Sequence, residues 1–212
     1  IEIYQSLEID FVPDRVSPAQ FREQLDYTIG SIHFVDQFDD GKPWEIDNTH
    51  AVFLNGLEKI FRNNFREAVH RYFELTREMI NSAEPDIIGH IDKIKMQNID
   101  GKFFSESDAW YRQEVEKTLK LIESKGTIVE VNTRGIYQKK TSTTYPSPWI
   151  LELMHRKNIP VTISSDAHHP DDLINQFPET ARLLQKTGFR NVSVMTGGEW
   201  KQLLFNENGI IR

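Results

Sequence analysis

The stretch Ile159–Pro170, IPVTISSDAHHP, decides how this chain is read. Val161, Thr162 and Ile163 are β-branched, and the run through residue 165 is short and apolar enough for a strand buried on both faces. It breaks into Ser164, Ser165, Asp166, Ala167, His168 and His169, with Pro170 and two acids behind. A buried strand that delivers a carboxylate and an imidazole two residues apart suits a metal or catalytic site. In parallel α/β barrels such sites lie at the C-terminal ends of the strands. The plainer alternative is a polar turn that caps the next helix, with Asp171 or Asp172 near its start.

Working outward, the same strand-then-polar pattern recurs. Ile1–Phe11, Tyr27–Phe34, Asp86–His90, Thr127–Thr133 and Asn191–Met195 read as further strands. Between them lie helical patterns. One starts at Ser17–Pro18 and runs through Leu25, a long one covers Asn48–Ser82, and one covers Glu106–Lys125 with Gly126 as its C-cap. Others run from Ser147 to about Asn158 and over Leu173–Lys186, and Glu199–Phe205 is expected as a closing helix. Residues 36–44 form a polar loop, and Ile91–Ser105 is a loop with basic Lys93, Lys95 and Lys102. Alternating strands and helices specify an α/β fold with a parallel sheet, in one domain over residues 1–212. Six strands fall short of a closed barrel. The first begins in mid-strand, so one or two more strands are expected before Ile1.

Composition narrows the function. The chain has 212 residues, 38% of them apolar and 27% charged, and no cysteine. Disulfides and thiolate metal sites are excluded, which leaves nitrogen and oxygen ligands. A net charge of −7 and pI near 5.5 argue against a nucleic-acid partner bound through its phosphates. No apolar run approaches the roughly 20 residues of a membrane span. With polar residues interleaved in IEIYQSLEID, no secretory signal is read, and a cytoplasmic enzyme is expected.

Glu8, His33, His90 and the pair Asp166 and His168 each follow one of four strands, so in a parallel barrel they converge on one face. Carboxylates supply hard oxygen ligands and can bridge two cations, and imidazole suits zinc, iron or manganese. The set exceeds what one tetrahedral ion needs and points to a multinuclear site. Singly, Glu8 reads equally as an ordinary edge-strand charge, and His33 and His90 as buried histidines satisfied by backbone. His50, His70 and His155 read as structural or surface residues. His169 reads as a neighbour that could reach the site.

LEIDF, IGSIHF, DIIGHIDKIK, EVNTRG and SSDAHHPDDL, in this order and spacing, resemble the PHP (polymerase and histidinol phosphatase) superfamily. More narrowly they resemble its monofunctional histidinol-phosphate phosphatases, over nearly the whole chain. The resemblance implies a distorted seven-stranded (β/α) barrel with two to three divalent ions of zinc, iron or manganese. It also implies hydrolysis of L-histidinol phosphate in histidine biosynthesis, by attack of a metal-bridging hydroxide on phosphorus. Glu8 takes the place of the bridging carboxylate, with His33 and His90 on one of the ions it shares. Asp166 matches a ligand of a second ion and His168 a ligand of the third. The family's opening His-x-His falls before Ile1, where an N-terminal segment is expected. Arg134, just beyond a strand, is the candidate fork for the phosphate. Either Asp166 or His168 could serve the leaving alkoxide, and Trp44 and Tyr145 are candidates to pack on the substrate. Two rivals stand beside this reading: another phosphoesterase or phosphodiesterase of the superfamily, and a non-catalytic metal-binding barrel.

Overall fold

A computed structural model of the chain describes residues 2–211. In order they form β1 (Ser6–Asp10), β2 (Tyr27–Ser31), β3 (Phe34–Gln37), β4 (Pro43–Glu45), α1 (His50–Phe61) and α2 (Phe65–Ser82). Next come β5 (Ile87–Ile88), α3 (Ala109–Lys125), β6 (Ile128–Asn132), the one-turn α4 (Arg134–Tyr137), α5 (Pro148–Arg156) and β7 (Val161–Ser164). The described chain ends with α6 (Phe177–Thr187), β8 (Asn191–Thr196), β9 (Glu199–Asn206) and β10 (Gly209–Ile210).

Five strands make a parallel sheet in the order β1-β2-β5-β6-β7. Its runs are short and apolar because both faces are covered: all five residues of β6 are buried. Apolar faces of α2, α3, α5 and α6 join it in one connected core. Met79, Leu119, Ile122, Leu151, Met154 and Leu184 pack there with Ile88, Val129 and Val161. Two glycines permit close approach. A Cβ on Gly56 would lie 2.1 Å from the Trp44 indole, and one on Gly89 would lie 2.2 Å from Ser31 Oγ. The first lets α1 settle on the fully buried Trp44; the second lets the end of β5 lie beside β2.

The polar residues expected after β2, β5 and β7 are where the parallel sheet delivers them, but Glu8 lies inside β1 rather than after it, and Ile1 is outside the described residues. Six other expectations are corrected. The closing helix Glu199–Phe205 is the strand β9, paired antiparallel with β8 around Gly197 and Gly198 at φ 62° and 77°. Two glycines at positive φ make a tight hairpin turn that carries the strand twist directly. β8 is thus the first arm of a hairpin and not a sixth strand of the parallel sheet; among the described residues that sheet does not close. The long helix is two, because Arg62 and Asn63 take left-handed φ of 50° and 63°, and Asn64 caps a fresh start by accepting from Glu67 N. Residues 17–25 form two 3₁₀ turns, and the polar loop 36–44 contains the β3–β4 hairpin.

The last concerns 91–105, which is not all loop: Lys93–Gln97 and Ile99–Gly101 are 3₁₀ turns, and Lys93 and Lys95 are buried, at 8% and 7% exposure. Lys95 Nζ pairs with the fully buried Asp92 at 2.9 Å and donates to Thr144 O and Ser147 Oγ. That buried pair, with Asp92 Oδ2 also accepting from Ser147 N at 2.9 Å, pins the segment after β5 to the start of α5.

Candidate metal centre

Glu8 and Asp10 sit two apart on β1, so both side chains leave the same face. β1 pairs with β2 in a register that sets Glu8 against Ile29 and Asp10 against Ser31. His33 lies two residues beyond β2, and His90 two beyond β5. Parallel pairing of β1, β2 and β5 therefore brings the three ends together. One ligand atom from each of Glu8, His33 and His90 lies within 4.8 Å of the others.

Hydrogen bonds orient the set. Asp10 Oδ1 is 2.6 Å from His33 Nδ1. A carboxylate only accepts, so the proton is on Nδ1 and the Nε2 lone pair faces Glu8 and His90. His90 Nε2 donates to Glu8 Oε1 at 2.8 Å, and His33 Nε2 is 3.8 Å from the same oxygen. Burial first pushes the Glu8 carboxyl up; the His90 hydrogen bond, with His33 and Ser31, outweighs it and holds Glu8 well below its usual range. Burial, aided by the Lys93 ammonium, lowers His90 to about 4 and keeps it neutral. An ionised Glu8 and a neutral His90 are the forms that metals bind; at His33 burial opposes the charge, but the Asp10 hydrogen bond and the Glu8 charge prevail over it and over Lys93 and leave its pKa raised.

Lys93 and Asp47 close one side. Lys93 Nζ is 2.8 Å from Asp47 Oδ2, 2.8 Å from His33 Nε2 and 3.5 Å from His90 Nε2. Burial opposes the Asp47 charge, but Lys93 prevails and lowers Asp47 to about 2.

The other side comes from the ends of β6 and β7. Asp166 takes a left-handed φ of 49°, and its Oδ2 accepts from Asn132 Nδ2 at 3.3 Å. Arg134 Nη1 donates to Asp166 O at 2.5 Å, and Arg134 Nε is 3.8 Å from Asp166 Oδ2. Burial, then the Glu8 charge, raise Asp166 above the usual range despite Arg134. His168 Nε2 is 3.6 Å from Asp166 Oδ1, and its side chain is 72% exposed. His169 Nδ1 instead caps the turn that follows, accepting from Asp171 N at 3.3 Å.

All these groups except His169 line one cleft of about 340 Å³, with Lys140 and Tyr145 at its wall. Trp44, a candidate to pack on the substrate, is a core residue. The structure thus gathers Glu8, His33 and His90 at ligand separation, and places Asp166, His168 and Arg134 in the same cleft but not within that tight set.

The donor set fits a divalent ion. A histidine whose Nδ1–H is held by a carboxylate presents its Nε2 as a ligand in a fixed direction. Glu8 Oε1 lies 2.8 Å from His90 Nε2 and 3.8 Å from His33 Nε2, separations that ligands at the roughly 2.0–2.2 Å of a zinc coordination shell can span.

An α/β parallel sheet whose strand ends converge on a polar cleft with an N,O donor set defines the class: an α/β fold with a metal site at the C-terminal ends of its strands, as in many hydrolases. More particularly, the PHP domain model matches residues 1–134, and the chain belongs to that family. It is 27% identical over 177 residues to a protein of Schizosaccharomyces pombe named probable histidinol-phosphatase, covering 82% of this chain and 55% of that one. A Deinococcus radiodurans protein of the same name is 26% identical over 200 residues, covering 91% and 68%. The chain thus spans only about half of the first relative's length. Among solved structures, a candidate histidinol phosphatase from Listeria monocytogenes superposes with a TM-score of 0.68 at 22% identity, over 84% of this chain and 67% of that one. Histidinol phosphate phosphatase from Lactococcus lactis, solved with zinc, L-histidinol and phosphate, gives 0.55 at 17%, over 92% and 70%. At these identities the two structures share the fold.

Sequence reasoning missed Asp10, Asp47, Asn132 and the buried placement of Lys93. Asp10 carried a usable signal, since i and i+2 share a strand face. Asp47 and Lys93 carried none, because a hairpin and a 3₁₀ turn bring them in.

Proposed function

We propose that the chain carries the centre of a metal-dependent phosphomonoesterase that hydrolyses L-histidinol phosphate to L-histidinol and phosphate in histidine biosynthesis, in the cytoplasm. One observation carries the reading: donor atoms of Glu8, His33 and His90, from three separate strands, stand within 4.8 Å in a cleft that also holds Arg134, Asp166 and His168. The relatives' names and the zinc, L-histidinol and phosphate of the Lactococcus structure support the choice of substrate.

In this proposal Glu8, His33 and His90 hold one divalent ion, with zinc, iron and manganese as candidates. Asp166 and His168 contribute to one or two more. When bound, such ions lower the pKa of water and neutralise charge on phosphoryl oxygens. The chain's own residues do the rest. Asp10 fixes the His33 ring, and the Arg134 guanidinium supplies planar donors to the phosphate oxygens. Its contact with Asp166 O keeps that fork beside the cleft. Asp166, its proton affinity raised, is placed to hold a proton for the leaving alkoxide, and the exposed His168 is the second candidate.

The test is a comparison of three substrates with the metal-loaded protein: histidinol phosphate, a nitrophenyl phosphodiester and single-stranded DNA. Turnover of the first well above the others is expected. Preference for the diester or for DNA would move the chain to another branch of its family, and turnover of none would leave a binding barrel.

A further inference from the structure

We propose that Lys93 is a built-in competitor for the cation at Glu8, His33 and His90: its ammonium occupies the donor set in the metal-free chain and has to withdraw for an ion to bind. The inference rests on the metal reading above and adds how that site is controlled.

The geometry comes from local structure. Lys93 N bonds His90 O at 2.9 Å in the turn after β5, which folds the Lys93 side chain back over His90. The β3–β4 hairpin brings Asp47 across, tied to the site by Ile46 N on His33 O at 2.9 Å. Asp47 then anchors Lys93 Nζ at 2.8 Å.

The chemistry allows one cation at a time. His33 spends its Nδ1–H on Asp10, so its Nε2 has a single lone pair, and Lys93 donates to it at 2.8 Å. A metal ion needs that same lone pair. The ammonium is also 3.5 Å from His90 Nε2, so an ion on both histidines would meet a like charge at contact range. Lysine suits the task because its charge rides on a flexible four-carbon stem. The ammonium also offsets the charge of the Asp47 carboxylate, which among the described residues has no other cation within 4 Å except the His33 ring.

The test is the zinc dissociation constant, measured against a chromophoric chelator, for the parent, Lys93→Met and Lys93→Arg, together with metal-free melting. Lys93→Met is expected to bind zinc at least tenfold more tightly while its metal-free form melts lower. Lys93→Arg is expected to stay close to the parent. A purely structural lysine would instead lose affinity and stability together, and equal or weaker binding by Lys93→Met overturns the proposal. Should that variant fail to fold, a crystal structure of the zinc-loaded parent decides. Nζ moved away from His33 Nε2 supports displacement, and Nζ still 2.8 Å from it beside a bound ion refutes it. A parent that binds no zinc removes the metal reading and this inference together; a parent that binds it no less tightly than Lys93→Met removes the inference alone.

Discussion

The two halves of the cleft are built differently. On the β1–β2–β5 side, Glu8, His33 and His90 touch one another, a carboxylate aims one ring, and burial keeps the other neutral. On the β6–β7 side, Asp166 leans on Asn132 and Arg134, and His168 stands mostly in solvent. The carboxylates record the contrast: Glu8 is held below its usual range by the histidines, and Asp166 is raised by burial and by Glu8. Three strand ends that meet directly make a preorganised ligand set. Two that meet through a loop leave a polar wall whose groups still have freedom to choose partners.

The sharpest way to break this contrast is Glu8→Gln. Losing the charged donor from the tight half is expected to remove bound metal and cut turnover on the order of 10³-fold, as loss of a central electrostatic group does. Metal content and kcat together check it, and retained metal with near-parent turnover would refute it. Asp10→Ala comes next. It leaves the donors in place but frees the His33 ring, so metal affinity is expected to fall about 10–100-fold. Isothermal titration at constant pH measures this, and an unchanged affinity would show that the Asp10 contact orients nothing. On the loose half, His168→Ala is expected to change the affinity of the tight site by less than about threefold, since an exposed partner 3.6 Å from Asp166 holds little in place. A larger loss would make the two halves one cooperative set.

The smallest effect separates the halves by pH. The Asp166 pKa is raised in the folded chain, so its contribution to stability is full below the unfolded value near 3.8 and is lost as pH rises through the folded value. In the metal-free protein, Asp166→Asn is therefore expected to be more stable than the parent at neutral pH, a benefit that fades below pH 3.8. Asparagine tolerates the left-handed backbone there. Urea melts at pH 7 and pH 3.5 test it, and an equal difference at both would contradict the sign. Glu8 is lowered, so its contribution runs the other way, full above 4.5 and lost as pH falls through the folded value.

Much of this arrangement is legible in the chain. Short apolar runs at Glu8 and ahead of His33, His90 and Asp166 locate the strands, and parallel pairing does the rest. What stayed hidden depends on tertiary turns. Gly197–Gly198 converts a helix-like WKQLLF pattern into a strand, because a hairpin turn outweighs weak periodicity. Lys93 and Lys95 read only as basic residues of a loop until a 3₁₀ turn buries them, Lys93 against Asp47 and Lys95 against Asp92.

The most direct test of the central claim is anomalous diffraction at the zinc edge from crystals of the zinc-loaded protein. The expected result is a peak within about 2.3 Å of Glu8 Oε1, His33 Nε2 and His90 Nε2 together. Ordered crystals with no peak there, or with zinc held only by other side chains, would contradict it.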